Sequence, residues 1–396
     1  MLKNRLRVIQ PIFLAFLFFT LSSCKKGTLS SDNKLNSGSL KKTAAMPLLN
    51  CRFPFGWYVI GIEDPAAAIS DGSNLLMAYS YWSDGGGTTE INQYLTNVNN
   101  RGAKAVYEIP RGLMEPLNIT AIKTFVNAIN ANPGLYGYYL KDEPYDPALL
   151  ADMKAAYNAI KSISVKPVLV TFGSGGDPIA FAGTYDIFTQ DEYRCNVGEA
   201  EFTGMPKYMS SMDYASQASG TLGKPWWAVT QAFAGQFDRN YRLPTCKEHR
   251  FNVYYAILKG ANGISNWGRP WCTGQAGADW ITNVFKPVAA EVNRDGDMFP
   301  NGPSTVVTVS VGAGVLCKAF ERSNGEISAV TARITTGTTK NTVTIDLGSK
   351  FKSTCNYVVK LNGSSVSYTK SGTSLSIMNV QYTSYKVNLF QISSCP

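Results

Sequence analysis

The sequence predicts an α/β fold, a (β/α)8 TIM barrel followed by a small all-β sandwich domain, on three observations. From residue 53 onward, strand-like runs alternate eight times with segments of helical period, which implies parallel strands joined by right-handed crossovers. The first strand runs into GWYVIGIEDP with no glycine-rich fingerprint, so a doubly wound open sheet has no support. After residue 304 the pattern becomes short alternating β runs separated by Gly, Asn and Ser turns.

The strands expected are FGWYVIGI (55–62), NLLMAYSYW (74–82), AKAVYEIP (103–110), GLYGYYLKDEP (134–144), KPVLVTFG (166–173), YDIFTQDEY (185–193), KPWWAVTQAF (224–233) and NGISNW (262–267). Between them, INQYLTNVNNRG ends on a glycine suited to a C-cap, ITAIKTFVNAINANPG stops at Asn-Pro-Gly, and DPALLADMKAAYNAIKSIS opens on Asp-Pro. FNVYYAILKGANG and ADWITNVFKPVAAEV continue the helical series, whereas EDPAAAISDGS is a poor helix and GDPIAFAGT a short one. The glycine clusters at 83–89 and 173–178 lack P-loop spacing and read as flexible loops. The barrel is assigned to 53–303, and the tail 304–396 has the usual size of a β-sandwich module.

The N-terminal 52 residues differ in kind. Lys3, Arg5 and Arg7 precede an apolar run too short to span a membrane stably, which reads as a signal peptide over 1–23. The run ends in LSSC, which resembles a bacterial lipoprotein signal and implies cleavage before Cys24 and lipidation of that cysteine. Residues 24–52 are polar, small and aperiodic, as a tether is. The expected location is therefore the cell envelope, lipid-anchored to the outer membrane, facing the periplasm or the surface.

The net charge of +9 is no nucleic-acid signal. Of 37 Lys and Arg, nine lie in 1–52 against the single acid Asp32, which leaves 28 basic and 27 acidic residues for 53–396. Seven cysteines follow Cys24, at spacings that match no metal motif, so no metal or cofactor is expected and one or two disulfides of open pairing are. His249 is the only histidine; it sits in a helix-like run, where a surface or capping role is expected, and it is the one candidate base for a hydroxyl or thiol nucleophile.

In barrels of this kind the active site lies at the C-terminal ends of the strands. Those ends carry Glu63 and Asp64, Tyr81 and Trp82, Glu108 and Arg111, Asp142 and Glu143, then Asp191, Glu192 and Tyr193. Strands seven and eight add Gln231, Phe233, Asn266, Trp267 and Arg269, with Trp271. Acids, amides and large aromatics on one rim suit a carbohydrate, whose rings stack on aromatic faces while carboxylates and amides take its hydroxyls.

With KDEP at strand four, YDIFTQDEYR at strand six and FNVYYAILKGANGISNW near the end of the barrel, residues 53–396 resemble a barrel-type glycoside hydrolase with a C-terminal β-sandwich. The resemblance implies Glu143 as catalytic acid. Strand seven ends TQAFAG, with Gln231 where the large clan bearing Asn-Glu-Pro places its nucleophile, so the second carboxylate is sought at strand six, in Asp191. A second precedent, the substrate-assisted N-acetylhexosaminidases, would use Asp142 to orient the substrate's own acetamido group. Trp82, Glu108, Glu192, Tyr193, Gln231, Trp267 and Arg269 are the expected substrate contacts. Asp142 beside Glu143 is expected to help one of them hold a proton. Alternation should turn only one of Asp191 and Glu192 into the mouth. Two other readings stand beside hydrolysis: a non-catalytic glycan-binding surface lipoprotein, and a barrel lyase or esterase that depends on His249.

Overall fold

In the computed structural model, which describes residues 52–58, 65–79, 87–235 and 240–393, eight parallel strands close into a barrel. They are β1 (Phe55–Tyr58), β2 (Leu75–Ala78), β3 (Lys104–Glu108), β4 (Leu135–Asp142), β5 (Val168–Phe172), β6 (Ile187–Asp191), β7 (Trp226–Gln231) and β8 (Ile264–Trp267). Each pairs with its neighbour in sequence, and β8 returns to β1 in a register running from Phe55 opposite Ile264 to Tyr58 opposite Trp267. Every expected strand forms. Trp82, Glu63 and Asp64 lie outside the described residues, as does Cys24.

The barrel strands are apolar on both faces, as parallel strands sheathed by helices must be. Leu75, Met77, Val106, Leu169, Ile187, Trp227 and Val229 fill the interior. Their neighbours Leu76, Ala105, Val170, Phe188, Trp226 and Ala228 belong to the outer core, beneath the helices.

The helices are α1 (Ala66–Ser70), α2 (Thr88–Asn100), α3 (Arg111–Met114), α4 (Ile119–Asn130), α5 (Leu150–Lys161), α6 (Met205–Leu222), α7 (Cys246–Lys259), α8 (Gly274–Trp280) and α9 (Lys286–Asp295). Asp146 caps the short turn that leads into α5, accepting from the Ala148 amide at 2.9 Å. Thr245 and Glu248 form a reciprocal capping box on α7. The poor helix after β1 forms all the same, at five residues.

The longest helix, α6, departs from the sequence reading, which places none between strands six and seven. Its serines, glycine and small residues mask a buried series, Met205, Tyr208, Met212, Ala215 and Ala218, at helical spacing. Pro206 in the first turn and Gly223 at φ 62° beyond the last were the available start and stop signals.

The C-terminal strands are β9 (Thr308–Ser310), β10 (Val315–Glu321), β11 (Ile327–Arg333), β12 (Thr339–Asp346), β13 (Val358–Leu361), β14 (Ser364–Ser365), β15 (Thr369–Ser371), β16 (Ser374–Tyr382) and β17 (Val387–Ser393). They form two antiparallel sheets, β10-β11-β17-β13-β14 and β15-β16-β12-β9, around Ala329, Val343, Ile345, Leu375 and Phe390. Arg250 of α7 joins the barrel to this sandwich. Its guanidinium donates to Glu291 of α9 at 2.7 Å, to the Val387 carbonyl at 2.6 Å and to the Asn362 side chain at 3.1 Å.

Cys355 is disulfide-bonded, whereas Cys195, Cys246, Cys272 and Cys317 are free thiols. Among the described residues no helix is long and apolar enough to cross a membrane, and no cluster of His, Cys, Asp and Glu could hold a metal. His249 corrects the sequence reading. It is fully buried against Trp280 and Phe285, without a partner for either ring nitrogen, and burial lowers its pKa from 6.5 to about 3. A neutral imidazole among aromatic rings is neither a surface group nor a cap.

Candidate active site

The carboxylates at the end of β4 owe their direction to two backbone irregularities. Tyr139 stands opposite Leu169, but the next pairs are Lys141 with Val170 and Asp142 with Thr171, so Leu140 is an extra residue. Such a bulge reverses the alternation beyond it. Lys141 therefore faces outward, toward Glu115, and Asp142 turns into the barrel with Tyr139. Glu143 follows at φ 40°, a left-handed conformation that costs a non-glycine residue about 1–3 kcal/mol. Its amide still reaches the Thr171 carbonyl at 2.9 Å, which fixes the turn against β5.

Asp142 lies in a cradle of phenols. Its Oδ1 accepts from Tyr139 at 2.6 Å, and its Oδ2 from Tyr79 at 3.3 Å. The Tyr58 hydroxyl lies 2.8 Å from Oδ1 and 2.7 Å from the Tyr139 hydroxyl, so its one proton serves either. Burial raises the Asp142 pKa above the usual carboxylate value, and the hydrogen bonds from Tyr139, Tyr58 and Tyr79 oppose that rise. Sequence reasoning passed over these tyrosines, although each stands at an inward position near a strand end.

Glu143 and Asp191 meet each other. Their side chains share a hydrogen bond, and Asp191 is pushed well above the ordinary aspartate value, first by burial, then by the charges of Glu143 and Asp142. Tyr193 opposes this by donating to Asp191 at 3.2 Å. Tyr145 hydrogen-bonds to Glu143 from the rim. Gly173, beyond β5, leaves the space they occupy: a Cβ there would fall 2.2 Å from Glu143 Oε1 and 2.3 Å from the Tyr145 hydroxyl.

This pairing corrects one expectation: the carboxyl hydrogen-bonded to Glu143 is Asp191, not the adjacent Asp142.

Strand alternation separates Asp191 from Glu192. Asp191 faces the mouth; Glu192 faces away, 2.6 Å from Arg194, with hydrogen bonds to Ser174 and Ser211. Burial raises the Glu192 pKa and Arg194 counters it. Glu192 is thus remote from the mouth, contrary to its expected role as a substrate contact there. Gln231 departs likewise. It is fully buried, its Oε1 accepts from the Cys195 amide at 2.9 Å, and its Nε2 donates to the carbonyls of Arg242 at 2.8 Å and Cys195 at 3.1 Å. That side chain ties loops together and has nothing left for a ligand. Arg269 is held at 3.1 Å by Asp71, and Asn266 points outward to Thr230 and the Gly56 carbonyl.

Three expected contacts do line the mouth. Glu108 is buried at the inward end of β3, close enough to act electrostatically on Tyr79. Tyr193 packs edge-on against Phe233. Trp267 meets Tyr58 edge-on at 4.5 Å and stacks on Trp271 at 5.8 Å, which makes an aromatic wall beside the carboxylates.

No protein-family model and no curated protein matches this chain. Among solved structures it is similar to a glycoside hydrolase family 5 protein from Bacteroides vulgatus, at 11% identity and a TM-score of 0.57, covering 86% of this chain and 89% of that one. It is also similar to a family 27 β-L-arabinopyranosidase from Geobacillus stearothermophilus, at 11% identity and a TM-score of 0.53, covering 88% and 98%. A third, described only as a glycoside hydrolase, gives 11% identity and 0.55, covering 86% and 92%. At such identities the likeness is one of fold, a barrel carrying a β domain.

Proposed function

We propose that this protein hydrolyses O-glycosidic bonds, with the Glu143–Asp191 pair as proton donor and Asp142 as the anionic partner. One observation carries the proposal: three carboxyl groups converge at the C-terminal mouth of the barrel with unlike partners. Burial, the repulsion between Glu143 and Asp191 themselves and the Asp142 charge favour a proton on the Glu143–Asp191 pair. Burial raises Asp142 as well, but hydrogen bonds from three phenols act against that rise and favour its charged form. The aromatic wall of Trp267 and Trp271 supplies a face for a sugar ring. The similar solved structures described as glycoside hydrolases add support.

The acid proton passes from the pair to the glycosidic oxygen as the C–O bond breaks. Positive charge grows on the anomeric carbon as that bond breaks, where the Asp142 carboxylate stabilises it, and water adds to that carbon while giving a proton back to the Glu143–Asp191 pair. The Tyr145 hydrogen bond and the room beside Gly173 orient Glu143. The tyrosine cradle keeps Asp142 aimed inward without neutralising it.

A second reading is favoured by the loading of Asp142. Among the described residues its Oδ2 accepts only from Tyr79, at the long distance of 3.3 Å, which leaves capacity to accept from a substrate acetamido N–H. In that scheme the acetamido oxygen, positioned by Asp142, attacks the anomeric carbon as the glycosidic oxygen leaves with the proton from the Glu143–Asp191 pair, and water then opens the cyclic intermediate and returns a proton to the pair. The N-terminal Cys24, lipidated after cleavage, would hold the enzyme at the cell envelope, most simply on the outer membrane.

The test is release of reducing sugar from a panel of oligosaccharides and aryl glycosides, with N-acetylhexosaminides included, by wild type and by Glu143→Gln, Asp191→Asn and Asp142→Asn. Each variant should lose several orders of magnitude in turnover while staying folded. A requirement for the 2-acetamido group selects the substrate-assisted scheme. Full activity in a folded Glu143→Gln, or binding without turnover across the panel, would refute hydrolysis at this site.

A further inference from the structure

The glycine cluster at 173–178 has a structural use beyond the barrel mouth. One side of its loop, at Gly173, abuts Glu143 and Tyr145. Its other side, Ser174 to Asp177, walls a separate cavity of about 700 Å³ between the end of β6 and α6, within the ~300–1,000 Å³ of small-molecule sites. Gln190 of β6 and Glu192, just beyond its end, line one side, and Lys207, Ser211 and Tyr214 of α6 line the other.

Two features of this cavity ask for a ligand rich in hydroxyls. The Gln190 side chain is 1% exposed, and its Nε2 donates to the carbonyls of Gly173 at 3.1 Å and Asp191 at 3.3 Å, which fixes the orientation of the amide. The Oε1 on its other side is buried and has no partner. An unpaired buried acceptor in the residue that lines the cavity is a polar position no protein group satisfies. Around it lie the Glu192 carboxylate, the Arg194 guanidinium and serine hydroxyls, a set that both donates and accepts.

The lining charges balance. Glu192 pairs with Arg194, and Asp177 accepts from the amides of Ile179 and Ala180 and from the Tyr214 hydroxyl, with Lys207 as the remaining charge. Tyr214 is 37% exposed at the edge, a ring available for stacking. We propose that this cavity is a second carbohydrate-binding site, separate from the catalytic mouth and built for a neutral glycosyl unit.

The test titrates the full chain with D-glucose and D-galactose as neutral probes and D-glucuronate as a charged one, followed by protein-observed NMR. Ser211→Trp fills the cavity, Tyr214→Ala removes the ring, and Trp267→Ala alters only the mouth; melting temperatures check that each is folded. Neutral-sugar shifts at the cavity should vanish in Ser211→Trp, weaken about tenfold in Tyr214→Ala and persist in Trp267→Ala. No saturable neutral-sugar binding, binding of glucuronate alone, or binding unchanged in folded Ser211→Trp and Tyr214→Ala would overturn the proposal. Because the readout is binding, its result is independent of hydrolysis. Cavity binding without turnover would defeat only the catalytic reading, and turnover without cavity binding only this one.

Discussion

Gly173→Ala separates the position of Glu143 from its chemistry. The new Cβ would fall 2.2 Å from Glu143 Oε1, 2.7 Å from its Cδ and 2.3 Å from the Tyr145 hydroxyl. Nonbonded contacts relax only beyond about 3.2–3.5 Å, so the carboxyl must retreat by about 1 Å. The backbone allows the substitution, since Gly173 is not among the positive-φ glycines. The displaced atoms are the ends of side chains, so the cost in stability is about 0.5–1.5 kcal/mol, offset by about 0.4–1 kcal/mol from a stiffer unfolded chain. Catalysis is less forgiving. A 1 Å misplacement costs roughly 10²-fold in rate, or about 2.7 kcal/mol of barrier. The assay is kcat on the best substrate of the panel beside the melting temperature, with Glu143→Gln as reference. We expect a loss of about two orders of magnitude at a melting temperature near wild type. A folded Gly173→Ala with turnover within threefold of wild type, while Glu143→Gln is dead, would refute the claim that this glycine sets the acid's position.

Further outcomes follow from the buried titratable groups and the N-terminus. Asp191 holds its proton well above the unfolded value of 3.8, so stability falls as pH rises from that value through the folded pKa. Asp191→Asn should abolish turnover and flatten that slope in melting temperature against pH, and an unchanged slope would count against a buried, protonated Asp191. His249 is depressed from 6.5 to about 3, so its contribution is present above pH 6.5 and is lost as pH falls toward 3. His249→Phe should keep turnover and flatten the acid side of the same profile; loss of turnover in the folded variant would revive an esterase or lyase. Cys24→Ala should release the protein from membranes with its melting temperature unchanged, and persistent membrane fractionation after signal cleavage would contradict a lipid anchor.

The barrel was legible because its signal repeats. Eight apolar runs, each closed by turn residues and separated by helical periods, leave little choice of topology, and strands as short as Leu75–Ala78 still stand out. The helix Met205–Leu222 escaped because its buried stripe uses Tyr, Met and Ala among serines, and a small-residue face is apolar only in contrast to what it packs against. His249 was misjudged for a related reason. Its helix, rich in charge at one end, buries ten residues in succession from Glu248 to Leu258 apart from Arg250, so local polarity says nothing about depth there.

The site was legible as a location but not as a geometry. Position alone brings Asp142, Glu143 and Asp191 to one rim, since all three stand at strand ends. Which of them touch depends on features that leave no trace in composition. Were Leu140 paired regularly instead of bulged, alternation would turn Lys141 inward and Asp142 outward, away from Tyr58, Tyr79 and Tyr139. The left-handed turn at Glu143 frees the next side chain from the strict alternation of a strand and lets it meet Asp191 across β5. Two adjacent carboxylates at the end of a strand are unfavourable if they share one environment. Here they do not: one enters a cradle of phenols, and the other shares a proton with a third carboxyl from the far side of β5. The strained backbone between them is what keeps those two environments apart, which is why like charges can stand side by side in sequence and still be assigned opposite roles.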